Sequence, residues 1–188
     1  MKKLFIIIPS NRFQKLPKKT VSIIEKTKTH TIFVKQNLPP YYQNHSYIQE
    51  IISHQTGVSR ARNQGIRLAL KQNADILAFT DDDCIITKKW IKNIYHTFAH
   101  PKINIVFGRT LPYRPQKHPN EYCPCTFSKS NHQPIFSPVS TWQYVGMSNN
   151  FAITPNLIHQ VGLFSPHIGP GTIIPGGEDT DFIIRVIK

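Results

Sequence analysis

At 188 residues, with 39% apolar and 11% aromatic content, the chain can bury one sizeable core and is expected to form one domain. Its 23 Lys and Arg against 10 Asp and Glu, a net charge of +13, suit nucleic acid, an anionic membrane face or a phosphorylated ligand. Zinc-finger spacing and RNA-binding aromatic signatures are missing, which argues against nucleic acid, and no apolar run approaches the roughly 20 residues that span a bilayer.

Leu4 to Pro9 reads as a continuous apolar strand ended by proline, with a polar turn at Ser10-Asn11-Arg12. The run is too short for a signal-peptide core despite Lys2 and Lys3, and Cys84, Cys123 and Cys125 give no disulfide framework, so a cytosolic protein is expected. A helix follows Pro17 with Val21 and Ile24 on one face, then a strand at about Thr31 to Lys35, which makes a βαβ opening. A short strand at Glu50 to Ser53 leads to Gly57 and a helix in which Val58, Ala61, Gly65, Ala69 and Leu70 recur at helical spacing. Ile76 to Phe79 is apolar on both faces, as in the buried centre of a parallel sheet, and ends in Asp81-Asp82-Asp83. Thr87 can cap a helix whose Trp90, Ile94 and Phe98 share a face, and Ile103 to Phe107 supplies another strand. This alternation predicts a parallel sheet sandwiched by helices up to about Thr110.

Prolines then punctuate residues 111–140, which read as a long loop of the kind used for lids or binding. Order returns at Thr141 to Val145, followed by Gly146 to Asn150, an apolar piece from Phe151 to Ile153, and a short helix begun by Thr154-Pro155 and ended by Gly162. Gly176-Gly177-Glu178-Asp179-Thr180-Asp181 runs into Phe182, Ile183, Val186 and Ile187, so the acids sit on a helix's first turn.

Residues two apart on a strand point the same way about 7 Å apart, so Asp81 and Asp83 can converge on one ion while Asp82 faces elsewhere. Hard carboxylate oxygens select Mg²⁺ or Mn²⁺, which take further ligands from water and substrate phosphates. Ligands of open α/β sheets bind at the carboxyl ends of such strands; a solvated acidic turn is the alternative. Acids also favour helix N-termini without any ligand, by about 0.3–1 kcal/mol each. Paired with a separate acidic cluster, however, Glu178 and Asp179 supply a general-base candidate, and the two clusters together suggest group transfer. His118, Cys123, Cys125 and His132 raise a zinc site, but Cys123-Pro124-Cys125 has one intervening residue where structural zinc uses two to four. Cys84 reads as a small packing residue.

Four segments in order, Phe5-Ile6-Ile7-Ile8-Pro9, Gly57 to Ile66, Phe79-Thr80-Asp81-Asp82-Asp83 and Gly177 to Phe182, resemble the first strand, the Ala-Arg-Asn-x-Gly helix, the DxD motif and the ED motif of glycosyltransferase family 2. The resemblance covers nearly the whole chain. It implies an α/β, GT-A, Rossmann-like fold with a mostly parallel central sheet flanked by helices, in an inverting transferase of hexosyl or N-acetylhexosaminyl type. Residues 1–110 would be the nucleotide-sugar half and 141–188 an incomplete acceptor and catalytic half. By the same resemblance Asp81 and Asp83 hold Mn²⁺ or Mg²⁺, and Pro9, Asn11, Arg12, Arg62, Asn63, Asp81 and Asp82 bind the donor. Asp179 is the general base, Glu178 shares or orients that role, and Gly146, Asn149, Asn150 and Asp181 bind the acceptor. Trp142 or Tyr144 either stacks on a sugar or belongs to the core.

The implied partners are a nucleotide-diphosphate sugar and a glycan or lipid-linked acceptor in surface polysaccharide synthesis, with peripheral contact to the inner, anionic membrane face. Two departures stand out. Where many relatives end the second strand with a base-reading acid, this chain has Phe33-Val34-Lys35-Gln36-Asn37, leaving Gln36 or Asn37 to meet a base edge; the turn at Pro9-Ser10-Asn11-Arg12 is also shorter than usual. Relatives continue past the ED helix, whereas this chain stops at Lys188, as a minimal domain, a truncated product or a fragment would. The competing readings are a non-catalytic nucleotide-sugar-binding domain and a sugar nucleotidyltransferase, whose glycine-rich phosphate loop is absent at Pro9 to Arg12.

Overall fold

The computed structural model describes residues 2–39, 45–113 and 147–188. In chain order the elements are β1 (Leu4–Ser10), α1 (Lys18–Thr27), β2 (His30–Gln36), β3 (Ile48–Ser53), α2 (Val58–Lys71), β4 (Ile76–Thr80), α3 (Lys88–Thr97), β5 (Ile105–Phe107), β6 (Asn150–Ile153), α4 (Pro155–Val161) and α5 (Glu178–Ile187). One sheet gathers the strands in the order β3-β2-β1-β4-β6-β5. The first four are mutually parallel, because each return path runs through a helix or a crossover, whereas β6 is antiparallel to both β4 and β5.

Every residue of β1 and β4 is buried, the signature of strands covered on both faces. Strand alternation sorts them: Phe5, Ile7, Leu77 and Phe79 pack with α2, α4 and α5, while Leu4, Ile6, Ile8, Ile76 and Ala78 pack with α1 and α3. Gly65 brings α2 close to the sheet, since a Cβ there would stand 2.5 Å from Cγ2 of Ile7. Thr87 caps α3 as the sequence predicts, its hydroxyl accepting from the Trp90 amide at 3.1 Å.

The strands up to Thr110 all run the same way, as the alternation predicts, since β4 and β5 are each antiparallel to β6. β5 does not lie beside β4, however: the buried residues Phe151, Ala152 and Ile153 of β6 fill that place and leave the half-buried β5 at the edge. Phe151 explains the preference. Its ring stacks on Phe79 at 4.4 Å and on Phe107 at 5.7 Å, and meets Phe164 edge-on at 6.2 Å, contacts worth about 0.5–1.5 kcal/mol each beyond burial.

The topology has a consequence for chemistry. Parallel strands β1, β2 and β4 end at one edge with Ser10, Gln36 and Thr80, and because β6 runs the other way its first residue, Asn150, pairs with Thr80 at that same edge. Among the described residues, no helix is long and apolar enough to cross a membrane.

Candidate functional site

The acid triplet emerges at that edge, but not as an extended strand. β4 ends at Thr80, and the chain turns at once, the Cys84 amide donating to the Asp81 carbonyl at 3.1 Å. Strand alternation therefore does not set the three carboxylates; the turn does, and it gives each a different setting. Asp82 is 4% exposed and accepts from the Ser10 hydroxyl and, at 2.8 Å, from Nη2 of Arg12. The same Arg12 nitrogen reaches the exposed Asp83 at 3.1 Å. Asp81 is half-exposed, and its carboxyl is pushed above the usual carboxylate range, by burial first, with Arg62 opposing and Asp83, Asp82 and Glu178 adding to the rise.

Arg62 joins this cluster to the second one. From the buried face of α2 its Nη2 lies 3.5 Å from Asp81 Oδ1, and its Nη1 donates to Glu178 Oε1 at 3.1 Å. The guanidinium is 2% exposed, sits over the Phe164 ring at 5.6 Å, and leaves Nε without a protein partner among the described residues. Two acidic motifs 97 positions apart, counting Asp81 to Glu178, are thus bridged by one buried cation. Glu178 reaches it because the loop before α5 packs on the start of α2: the Val58 amide donates to the Pro170 carbonyl at 3.1 Å, and Ser59 donates to the Ile168 carbonyl at 2.6 Å. Gly57, at φ +124, permits this approach, since a Cβ there would lie 2.8 Å from Thr172 Cγ2.

The remaining expected residues divide. Asp179, half-buried in the first turn of α5, accepts from the Thr180 amide at 2.8 Å and borders a small apolar void with Phe107, Ser148 and Phe151. Asp181 pairs within the helix to Arg185 at 2.8 Å, and Arg185 also holds the Val161 carbonyl of α4. Asn63 braces the Phe164 backbone at both its N–H and C=O, at 3.0 and 2.8 Å. Asn150 accepts from Trp90 Nε1 at 2.7 Å and donates to the Arg109 carbonyl at 2.9 Å, so both ends of its amide are committed inside the protein. Asn149 is buried and accepts from Thr110 at 3.0 Å. Pro9 is buried in β1, in register with Val34, and Asn11 is exposed at the turn that Arg12 anchors. Gly146, Trp142, Tyr144, His118, Cys123, Cys125 and His132 lie outside the described residues.

Sequence reasoning missed three participants at this edge. Ser10 organises the turn after β1: its oxygen accepts from the Phe13 amide at 3.0 Å while its proton goes to Asp82. Lys35 and Glu50 form a buried ion pair at 2.6 Å between β2 and β3; a lysine inside an apolar strand signals a buried counter-charge, but not which acid supplies it. Gln36, expected near a base edge, accepts from the Gly57 amide at 2.7 Å, and Asn37 donates to Thr56 at 2.9 Å, so both amides hold the turn before α2. A separate cavity of about 400 Å³, lined by Arg60, Asn63, Gln64, Arg67 and the 163–166 turn, holds none of the acids.

Asp81 and Asp83 offer hard carboxylate oxygens, the donor chemistry of Mg²⁺ and Mn²⁺, but each faces an arginine, and among the described residues no group of three or more His, Cys, Asp and Glu side chains is placed to hold a metal ion.

Comparison with known proteins follows the same line. The model of the family described as Glycosyl transferase family 2 matches residues 18–159. A protein described as uncharacterized glycosyltransferase R363, from Acanthamoeba polyphaga mimivirus, is 29% identical over 133 residues, which is 70% of this chain and 46% of that protein. In structure the chain is similar to TarS of S. aureus, with a TM-score of 0.71 at 13% identity over 100% of this chain and 33% of TarS. It is also similar to the mannosyltransferase PcManGT of Pyrobaculum calidifontis, solved with GDP-Man and Mn²⁺, with a TM-score of 0.60 at 13% identity over 96% of this chain and 51% of that one. The chain spans about half or less of the length of these relatives.

Proposed function

The chain belongs to glycosyltransferase family 2 and has the GT-A fold, and from that premise we propose that it transfers a sugar from a nucleotide-diphosphate donor to an acceptor hydroxyl with inversion. The observation that carries this reading is the bridge through Arg62, which brings the acidic start of α5 against the acidic end of β4. A donor-side acid cluster and an acceptor-side carboxylate brought near each other are what a displacement at an anomeric carbon requires.

In this reading residues 1–110 form the donor side and 141–188 the acceptor side. Asp81 and Asp83 hold Mn²⁺ or Mg²⁺, which when bound supplies Lewis-acid stabilisation of the departing diphosphate. Asp82 and Arg12 fix the turn that carries them. Asp179 takes the proton from the acceptor hydroxyl as that oxygen attacks opposite the leaving group, and Glu178 keeps the helix start in place through Arg62. The neighbour solved with GDP-Man and Mn²⁺ supports a donor of this class. The net charge of +13 favours a lipid-linked or membrane-adjacent acceptor at the cytoplasmic face, in surface glycan synthesis.

The test is a thermal-shift screen of UDP-, GDP- and dTDP-sugars with and without Mn²⁺. A bound donor at about 100 times its Kd adds roughly 2.7 kcal/mol to stability, so one nucleotide class should raise the melting temperature only when metal is present. Asp83→Ala should abolish that rise. No metal-dependent rise with any donor, or a full rise in Asp83→Ala, would overturn the reading.

A further inference from the structure

Arg62 is the most enclosed cation at the acid centre, and its contacts are unequal. Its Nη1 bond to Glu178 is 3.1 Å, whereas Nη2 stands 3.5 Å from Asp81, at the outer limit of a hydrogen bond. Glu178 is itself buried, at 7% exposure, while Asp81 is half-exposed. A buried guanidinium must be paired, and here the enclosed partner is Glu178. Asp81 is the partner at the open end. Nε adds a second sign that this arrangement is not closed: it is a buried donor with nothing in the protein to accept from it among the described residues.

The rest of the cluster points the same way. Asp82 and Asp83 already share Arg12, a largely exposed cation whose charge water screens. No other Lys or Arg contacts Asp81 among the described residues, so the buried charge of Arg62 is its direct counter-charge.

We propose that Arg62 is the internal counter-ion of Asp81 that a divalent cation must displace, and that Glu178 is the anchor that keeps Arg62 in place when this happens. The inference rests on the reading of Asp81 and Asp83 as metal ligands. Arg62 is accordingly a positioning residue: it lowers the metal affinity of the empty centre, and on displacement it stays with Glu178. Its Nη2, released from Asp81, then becomes a donor available to an anion such as a phosphate oxygen.

The measurement is Mn²⁺ binding to the whole chain, with Mn²⁺ alone as the probe, read from the electron paramagnetic resonance of the free ion. Removing the competing charge in Arg62→Gln should tighten Mn²⁺ by about three- to tenfold. Glu178→Gln should weaken it by a similar factor, because Arg62 then turns wholly to Asp81. Arg67→Gln, on the exposed face of the same helix, should change nothing. Unchanged or weaker binding in Arg62→Gln overturns the proposal, as does an equal gain in Arg67→Gln, which would assign the effect to net charge. If circular dichroism shows that Arg62→Gln does not fold, Glu178→Gln decides alone, and unchanged or tighter binding there overturns it. Wild-type binding that survives Asp83→Ala, or no binding in any variant with or without nucleotide, rejects the metal ligands themselves and the inference with them.

Discussion

Three consecutive aspartates here have three different lives, and the cause is one backbone event. Because β4 stops at Thr80 and the chain turns, Asp82 is drawn inward to Ser10 and Arg12, Asp83 is left 55% exposed, and Asp81 faces Arg62. The acceptor-side acids separate in the same way: Glu178 is held by Arg62, Asp181 by Arg185, and Asp179 keeps only the Thr180 amide among the bonds described. Asp179 is therefore the acid of α5 with a carboxylate oxygen least committed to the fold. Asp179→Asn should lower turnover by about 10²- to 10⁴-fold while leaving the donor-induced rise in melting temperature intact. Unchanged turnover would remove Asp179 from the base role, and a lost donor response would place its effect on binding.

At the scale of elements, close packing of α2 against β1 is what carries Arg62 to the sheet edge. Ile7 is fully buried and β-branched, so it has little freedom to move away from a new neighbour. Gly65→Ala would gain up to about 1 kcal/mol in helix propensity, but the added methyl would meet Ile7 at 2.5 Å, an overpacking that costs about 1–3 kcal/mol. A net loss of about 1 kcal/mol is expected, measured as a lower urea midpoint. A midpoint at or above that of the wild type would mean that α2 has room to withdraw. The loop before α5 depends on the same helix, since it lies on Gly57, Val58 and Ser59, so loosening α2 also loosens the hold on Glu178.

Across the whole molecule, the excess of basic residues is a long-range property and belongs to association more than to folding. The chain should bind vesicles containing roughly a third anionic lipid at low salt, each engaged Lys or Arg contributing about 1 kcal/mol, and should release them as the Debye length shrinks from about 10 Å at 0.1 M to about 3 Å at 1 M. Co-sedimentation measures this, and binding indifferent to lipid charge would remove the membrane-adjacent acceptor from the proposed function. Phe5 to Pro9, Gly57 to Ile66, Phe79 to Asp83 and Gly177 to Phe182, in that order, carried the resemblance to the family, and the alternation of apolar strands and amphipathic helices marked the α/β class, because both are local patterns written along the chain. The antiparallel insertion of β6 beside β4 was not legible there, since a short apolar run such as Phe151 to Ile153 has no local mark of its direction or neighbour. Nor was the pairing of Lys35 with Glu50, of Asn150 with Trp90, or of Arg62 with both Asp81 and Glu178. The acids themselves were determined by the sequence; which cation each one meets was decided only by the tertiary structure, because charges interact through distance in space, and folding, not spacing along the chain, sets that distance.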